Sequence, residues 1–213
     1  MTNELDISAP FPIPGRMLDG VNRARHHIAS PGARWTGAQR NSIAAVARAA
    51  NAGDELLASD LSPETSAIAA TVAAEAHTVT ADMIDNYVAA VDRDVESFVE
   101  IVGVVSRQTA IDTFTRGVGA ADLAFAPAEP GSPTGQTSRA AKRRSAFVPT
   151  VGPAGATSSL SAVATEDLAQ EDLHGTLYLS YAEMGDLRIE KGLPRWQLEL
   201  IAARTSLINH CLF

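Results

Sequence analysis

Three residues near one end of the 213-residue chain have side chains suited to redox or acid–base chemistry. Cys211 is the single cysteine, His210 is its neighbour, and Glu199 lies twelve positions before the thiol. The thiolate is the reactive form of cysteine, and a carboxylate or an imidazole can take up the thiol proton. These three residues therefore form a candidate site of acid, base and thiol.

The residues before the cysteine predict an amphipathic helix, which we expect to face a core. Its apolar side chains recur at helical spacing, at Leu200, Ile201, Ala203, Leu207 and Ile208. Pro194 suits the first turn of this helix, where the missing amide hydrogen costs nothing. On one continuous helix, Glu199 and Cys211 would lie about 18 Å apart along the axis and about 120° apart around it. We therefore expect the chain to turn near Asn209, a residue type that tolerates helix ends.

The order Glu199, eleven residues, Cys211 resembles the start of the signature of the alkylhydroperoxidase D and carboxymuconolactone decarboxylase superfamily. That signature runs Glu, eleven residues, Cys, two residues, Cys, three residues, His. The phrase ELIAARTSLINHCLF is similar to the family's helix leading into its CxxC motif. The stretch FVEIVGVVSRQTAIDTF, residues 98–114, also resembles the longer, two-part members. The resemblance covers roughly residues 34–119 and 186–213.

The resemblance implies roles for the three residues and a reaction. Cys211 matches the first cysteine, which resolves the oxidised centre, and Glu199 matches the glutamate that relays protons. His210 is a third candidate for proton transfer. The second cysteine, which would attack the peroxide, falls immediately after Phe213, and so does the relay histidine. The resemblance further implies a small dithiol or disulfide reductant protein as partner, and a homo-oligomer.

The position at which the sequence stops suggests a hypothesis about the missing nucleophile. In this hypothesis the codon after Phe213 is a UGA that encodes selenocysteine and was read as a stop. A selenol would suit peroxide reduction. A frameshift, a fragment and a pseudogene are the alternatives. In each case we expect negligible peroxidase turnover from the 213-residue chain.

An internal match predicts two pseudo-repeated halves. At an offset of 158, Gln39 aligns with Gln197, Ile43 with Ile201, and Asn51 with Asn209. Asn41 and Gly53 then stand where Glu199 and Cys211 stand, so the first half lacks both acid and thiol. The alternative is that two alanine-rich helices match by composition.

The expected domain organisation has four parts. An extended N-terminal arm with alternate prolines occupies residues 1–34 and contains a short polar helix from Met17 to Ile28. A helical first half follows at 35–125, then an irregular linker rich in Pro, Gly and Ser at 126–159, where five of the eleven prolines fall. Residues 160–213 form the start of the second, site-bearing half.

Composition supports an all-α protein, and the resemblance implies a bundle of the alkylhydroperoxidase D-like type. Alanine is abundant, only 5% of residues are aromatic, and 46% are hydrophobic. The net charge of −8 argues against a general nucleic-acid or anionic-membrane surface. No membrane span or secretory leader is visible, so we expect a cytoplasmic protein. The sequence predicts no cofactor and no metal site.

Other polar residues have a structural interpretation beside a chemical one. The adjacent His26 and His27 point to different faces of a helix, and we expect both to be solvated. His77 could pair with Asp82 at a helix junction. On the predicted central helix, residues 94–119, Glu100 and Asp112 lie near apolar faces, which indicates either satisfied structural carboxylates or buried proton carriers.

Three functional interpretations remain open. The first is a thiol- or selenol-dependent peroxidase that reduces organic hydroperoxides. The second is a noncatalytic helical oligomerisation or binding protein. The third is a cysteine-independent, lactone-processing relative in which Glu199 or Glu100 acts as the acid. Whether the chain as it stands is an enzyme is left open by the sequence.

Overall fold

The structure is a computed structural model that describes residues 7–55 and 59–210. Within these residues the protein is all-α, with eight α-helices and no strand longer than an isolated bridge. The helices are α1 (Gly15–Ala29), α2 (Gly37–Ala52), α3 (Pro63–Ala74), α4 (Ala81–Val91), α5 (Val95–Gly117), α6 (Ala164–Leu177), α7 (Tyr181–Met184) and α8 (Arg195–Ile208). Two short 3₁₀ turns lie at Ala76–Thr78 and Ala156–Ser158.

The N-terminal ends of the helices follow from capping side chains. Thr36 and Gln39 form a reciprocal capping box at the start of α2. The hydroxyls of Ser62 and Thr80 accept amide hydrogens at the starts of α3 and α4, and the Asp94 carboxylate does so for α5. Thr, Ser and Asp are residue types that favour helix starts, so these caps determine where the four helices begin.

Helix α5 is the centre of the fold, as the sequence predicted. Helices α1, α2, α3, α4 and α6 all pack against it. The core includes apolar side chains along much of its length, among them Phe98, Ile101, Val104, Val105 and Ile111. Because α5 is buried on most sides, polar groups on it must find partners inside the protein.

In the N-terminal segment, the described residues 7–14 are not helical. From Gly15 it forms α1, which closely matches the helix predicted from Met17 to Ile28. This helix is part of the body, because Val21 and Ile28 are buried and it packs on α2 and α6. Apolar positions every three or four residues suffice to bury one face of an otherwise polar helix.

The long connector between α5 and α6 lies against the helices. It has one antiparallel bridge, Lys142 to Thr150, and the Arg144 guanidinium donates to the carbonyls of Thr150 and Gly152 at 2.8 and 3.0 Å. The Glu129 amide donates to the Ala29 carbonyl at 2.8 Å. These hydrogen bonds pair backbone amide and carbonyl groups that no helix or sheet would otherwise pair.

The environment of helix α8 differs from the one that the sequence led us to expect. None of its residues is buried, and the predicted core-facing stripe is open to solvent. Leu200 is 63% exposed, Ile201 55%, Leu207 76% and Ile208 64%. The stripe is helical as predicted, but the expectation that it faces a core within this chain is wrong. No helix in the described part of the chain is both long and apolar enough to cross a membrane.

Candidate functional site

Glu199 is an oriented, ionised carboxylate on α8. The Tyr178 hydroxyl and the Arg195 Nε–H both donate to its Oε1, at 2.9 and 2.6 Å. These two hydrogen bonds lower the pKa of Glu199, so the carboxylate is charged at neutral pH. Its side chain is half exposed. Such a group can accept a proton from a bound thiol or water.

The partner of Glu199 is held by the segment around α7. The Nη1 and Nη2 groups of Arg195 donate to the carbonyls of Glu183, Asp186 and Met184, at 3.1 to 3.3 Å. Hydrogen bonds from Lys191 and Ser180 lower the pKa of Glu183 to about 2. The charged Glu183 accepts hydrogen bonds from Ser180, which precedes α7, and from Lys191, which follows it. These bonds hold the segment that positions the start of α8.

His210 lies at the other end of α8. The helix ends at Ile208 with Asn209 as its C-terminal cap, where the sequence predicted the turn. His210 takes a left-handed backbone conformation with φ of 54°. Glu199 and His210 are eleven residues apart on an almost continuous helix, or about 16 Å along its axis. The structure therefore does not bring them together, and Cys211 lies outside the described residues.

His77 is the residue that meets His210. The two imidazole rings lie 5.3 Å apart between centroids and are tilted by 40°. His77 is in the 3₁₀ turn that follows α3, so the pair joins the first half of the chain to the end of α8. Asp82 was the expected neighbour of His77, and the sequence contained no signal for the contact with His210.

The histidine pair stands at the edge of a large cleft, which we call the histidine cleft. Its volume is about 980 Å³ and its walls come from the end of α3, one side of α5 and the end of α8. Most of the lining is apolar, including Val102, Val105, Phe114 and Leu177. Pockets of this size and character hold small organic molecules in many proteins.

A second group of polar residues is buried between α1, α2, α5 and α6, and we call it the buried charge cluster. It comprises His27, Arg40, Glu100, Arg107 and Glu166. All but His27 are fully inaccessible to solvent. Two guanidinium groups and two carboxylates balance in charge, as buried ions require.

Glu166 has the most ionic contacts in the cluster. It contacts Arg107 through Oε2, and its Oε1 accepts from Arg40 at 2.8 Å and lies 3.1 Å from His27 Nε2. Burial opposes its ionisation, but Arg107 and Arg40 outweigh burial and hold the pKa of Glu166 well below its ordinary range. Glu166 is therefore a buried carboxylate that stays charged.

Glu100 contacts Arg40 and accepts the Arg34 amide hydrogen at 2.7 Å. Burial raises the pKa of Glu100, and the attraction of Arg40 opposes that shift. Because Glu100 is fully buried with both oxygens engaged, no substrate reaches it. Its role is structural, and so is that of Asp112, to which Arg48 donates twice, at 3.0 and 2.7 Å.

The sequence missed the buried charge cluster, although it contained a signal. Arg40 lies on the same helical face as Ile43, Ala44 and Ala47, and Arg107 shares a face with Val104 and Ile111. A cation on an apolar face predicts a buried partner. The expectation that His26 and His27 are both solvated holds for His26 only, because His27 turns inward to Glu166.

Comparison of the chain with protein-family models, with curated proteins and with solved structures finds no match.

Proposed function

We propose that this protein serves thiol- or selenol-dependent reduction of organic hydroperoxides, with Cys211 in the resolving position. The observation that carries the proposal is the histidine cleft. It presents two imidazoles at the edge of an apolar space, and His210 directly precedes Cys211 in the chain. Imidazoles beside a thiol favour the thiolate and can protonate an alkoxide leaving group.

In this proposal the reaction uses two chalcogen centres. A thiolate or selenolate, placed by the resemblance after Phe213, attacks the terminal peroxide oxygen and breaks the O–O bond. The products are an alcohol and a sulfenic or selenenic acid. Cys211 then condenses with that acid, which releases water and forms a disulfide or a selenenyl sulfide. A dithiol reductant protein restores both centres by exchange.

Two further observations support the two-part, alkylhydroperoxidase D-like arrangement. Helices α2 and α8 begin at Gly37 and Arg195, which are separated by the same 158 positions as the internal sequence match. Glu199 is an ionised carboxylate held by Tyr178 and Arg195, as a proton-relay glutamate must be.

The test is hydroperoxide turnover by the protein isolated from its native cells, with mass spectrometry of the same sample for selenium. We expect cumene hydroperoxide to be consumed with a dithiol as reductant. Cys211→Ser should leave one rapid turnover and abolish the following ones. Glu199→Gln should lower kcat/KM by about 10²-fold, while Glu190→Gln, an acid on the preceding loop, should not change it.

Two outcomes would overturn the proposal. Multiple turnovers that persist in Cys211→Ser would remove the thiol from the mechanism. Rapid turnover by the 213-residue chain itself, lost in Cys211→Ser, would make Cys211 the attacking residue instead of the resolving one.

The second candidate is a noncatalytic helical oligomerisation protein. The observation that favours it is the uncovered apolar face of α8, where Trp196 is 66% exposed beside Leu200 and Ile201. Isolated material with no turnover under any dithiol, but with stable self-association, would give this candidate the lead. A lactone-processing function through Glu100 has no support, because that carboxylate is sealed in the buried charge cluster.

A further inference from the structure

A smaller apolar pocket opens beside the histidine cleft, and we call it the tail pocket. Its volume is about 290 Å³, and it lies between the end of α3, α4, α5 and the connector. Val79, Ile84, Phe98 and Val148 line it, with Phe147 at its rim. Ile84 and Phe98 are buried and form a floor, so the pocket has depth.

The tail pocket and the histidine cleft share a wall. Val72, Ala76 and Val102 line both of them. The two spaces are therefore neighbours on one side of α5, and we call the two together the groove. One end presents almost exclusively aliphatic and aromatic carbon, and the other presents the imidazoles of His77 and His210.

We propose that this groove binds a single unbranched aliphatic chain with a polar oxygen group at one end. The chain would lie in the tail pocket, and the oxygen group would lie at the histidine pair. A floor of buried side chains and a volume near the lower limit of about 300 Å³ for small-molecule pockets suit a chain better than a protein helix. A helix is about 10 Å across and would not enter such a space.

This inference rests on the proposed function in one respect, because it makes the substrate a long-chain alkyl hydroperoxide. The oxygen end would meet the imidazoles next to Cys211, and the carbon chain would supply binding energy away from the reacting bond. The chain-binding site itself can be tested without any turnover. Failure of the binding test and failure of the peroxidase test are therefore distinguishable.

The experiment measures binding of saturated fatty acids of six to twelve carbons to the 213-residue chain by titration calorimetry. The carboxylate replaces the hydroperoxide as a stable oxygen end group. Burial of each further CH₂ should tighten binding about threefold to fourfold until the pocket is full. Decanol serves as the neutral counterpart that separates the contribution of the chain from that of the charge.

Two variants locate the site. Ala76→Trp places a large ring on the shared wall at an exposed position and should weaken binding of the ten-carbon acid at least tenfold. Ala89→Trp, the same change at an exposed position of α4 outside the groove, should not alter it. Phe147→Ala on the connector should weaken binding several-fold, and it provides a second test if Ala76→Trp does not fold.

Affinity that does not rise with chain length would overturn the proposal. So would equal binding by the wild type, Ala76→Trp and Phe147→Ala, because the chain would then bind elsewhere. Chain-length-dependent binding that only Ala76→Trp and Phe147→Ala weaken would support it, whatever the outcome of the turnover assay.

Discussion

Glu166 is the residue on which the buried charge cluster depends. Its two oxygens contact both buried guanidinium groups. This one carboxylate on α6 therefore provides a counter-ion for Arg40 on α2 and for Arg107 on α5. A buried ion without its counter-ion is far more costly than an exposed one. Replacing this one side chain therefore affects two cations at once.

We expect Glu166→Gln to lower the free energy of unfolding by about 3–5 kcal/mol, because Arg107 and Arg40 are left with one carboxylate between them. Asp172→Asn is the matched control on the same helix, since Asp172 pairs with Arg23 at the surface, at 2.8 Å. That change should cost less than about 1 kcal/mol. Urea unfolding followed by circular dichroism measures both, and equal values would contradict a central role for Glu166.

His27 gives the cluster a dependence on pH. Burial lowers the pKa of His27, although Glu166 partly opposes the shift. A histidine whose folded pKa is depressed stabilises the fold fully above its unfolded pKa near 6.5, and this stabilisation is lost as pH falls toward the folded value. Glu166, whose pKa is also depressed, adds a loss in the same direction below about pH 4.5. The raised pKa of Glu100 acts in the opposite direction in that acid range.

The pH test compares His27→Gln with the wild type. Between pH 6.5 and 5 the melting temperature of the wild type should fall, and the variant should show a shallower slope. His26→Gln, which changes an exposed neighbour, should keep the slope of the wild type. A slope unchanged in His27→Gln would assign the pH dependence to other groups.

For single residues, the sequence predicted which side chains are buried better than it predicted which groups they contact. The apolar faces of α5 led us to expect Glu100 and Asp112 inside, and both are buried. Their counter-ions, Arg40 for Glu100 and Arg48 for Asp112, come from 60 and 64 residues away, and tertiary packing alone brings them together. His77 and His210 are 133 positions apart, so their contact left no local pattern to read.

Helix α5 has a specific adaptation to the cluster at Gly103. A Cβ atom there would lie 2.5 Å from Glu166 Oε2 and 3.3 Å from an Arg107 nitrogen. A helix interior normally disfavours glycine, so its presence here reflects the need for space. The same helix ends at Gly117, where a Cβ would meet nothing within 4 Å.

Alanine at these two glycines should therefore have opposite effects. Gly103→Ala should destabilise the fold by about 1–3 kcal/mol, because the methyl group displaces an ion pair that cannot relax into water. Gly117→Ala should be neutral or stabilising by up to about 1 kcal/mol through the unfolded chain. Thermal unfolding of both variants makes the comparison, and a stable Gly103→Ala protein would contradict the tight packing described for this site.

The contrast between α2 and α8 shows what periodicity predicts at the scale of an element. Both helices have the predicted apolar pattern and begin at corresponding positions. Ile43 on α2 is fully buried, whereas Ile201 on α8 is 55% exposed. The period identifies a helix and its apolar face. It does not identify the surface that covers that face, which depends on the other elements.

For the whole molecule, composition predicted the all-α fold class, and apolar periodicity predicted the helices α5 and α8. The irregular connector was also foreseeable from its prolines. The uncovered face of α8 was not, because its covering surface is absent from the described part of the chain. A protein with net charge −8 and such a face can reduce its exposed apolar area by self-association.

We therefore expect the chain to form a homo-oligomer through α8 at micromolar concentrations. Ile201→Glu should shift sedimentation velocity profiles toward the monomer, because it places charge in the apolar face. Leu187→Glu is the control, since Leu187 is 76% exposed on the loop before α8. Emission of Trp196 should move to shorter wavelength as wild-type concentration rises. A wild type that stays monomeric throughout would contradict this prediction.

Helix α8 is joined to the body through Arg195 and Glu199 at its start and by the facing walls of the histidine cleft at its end, with no buried residue of its own. In energetic terms we expect it to be a separate cooperative unit of low stability. Its amide hydrogens should exchange with deuterium through local opening, long before those of α5 exchange through global unfolding. Each opening would widen the groove beneath it, so the entry of a ligand would be governed by the rate at which this one helix detaches.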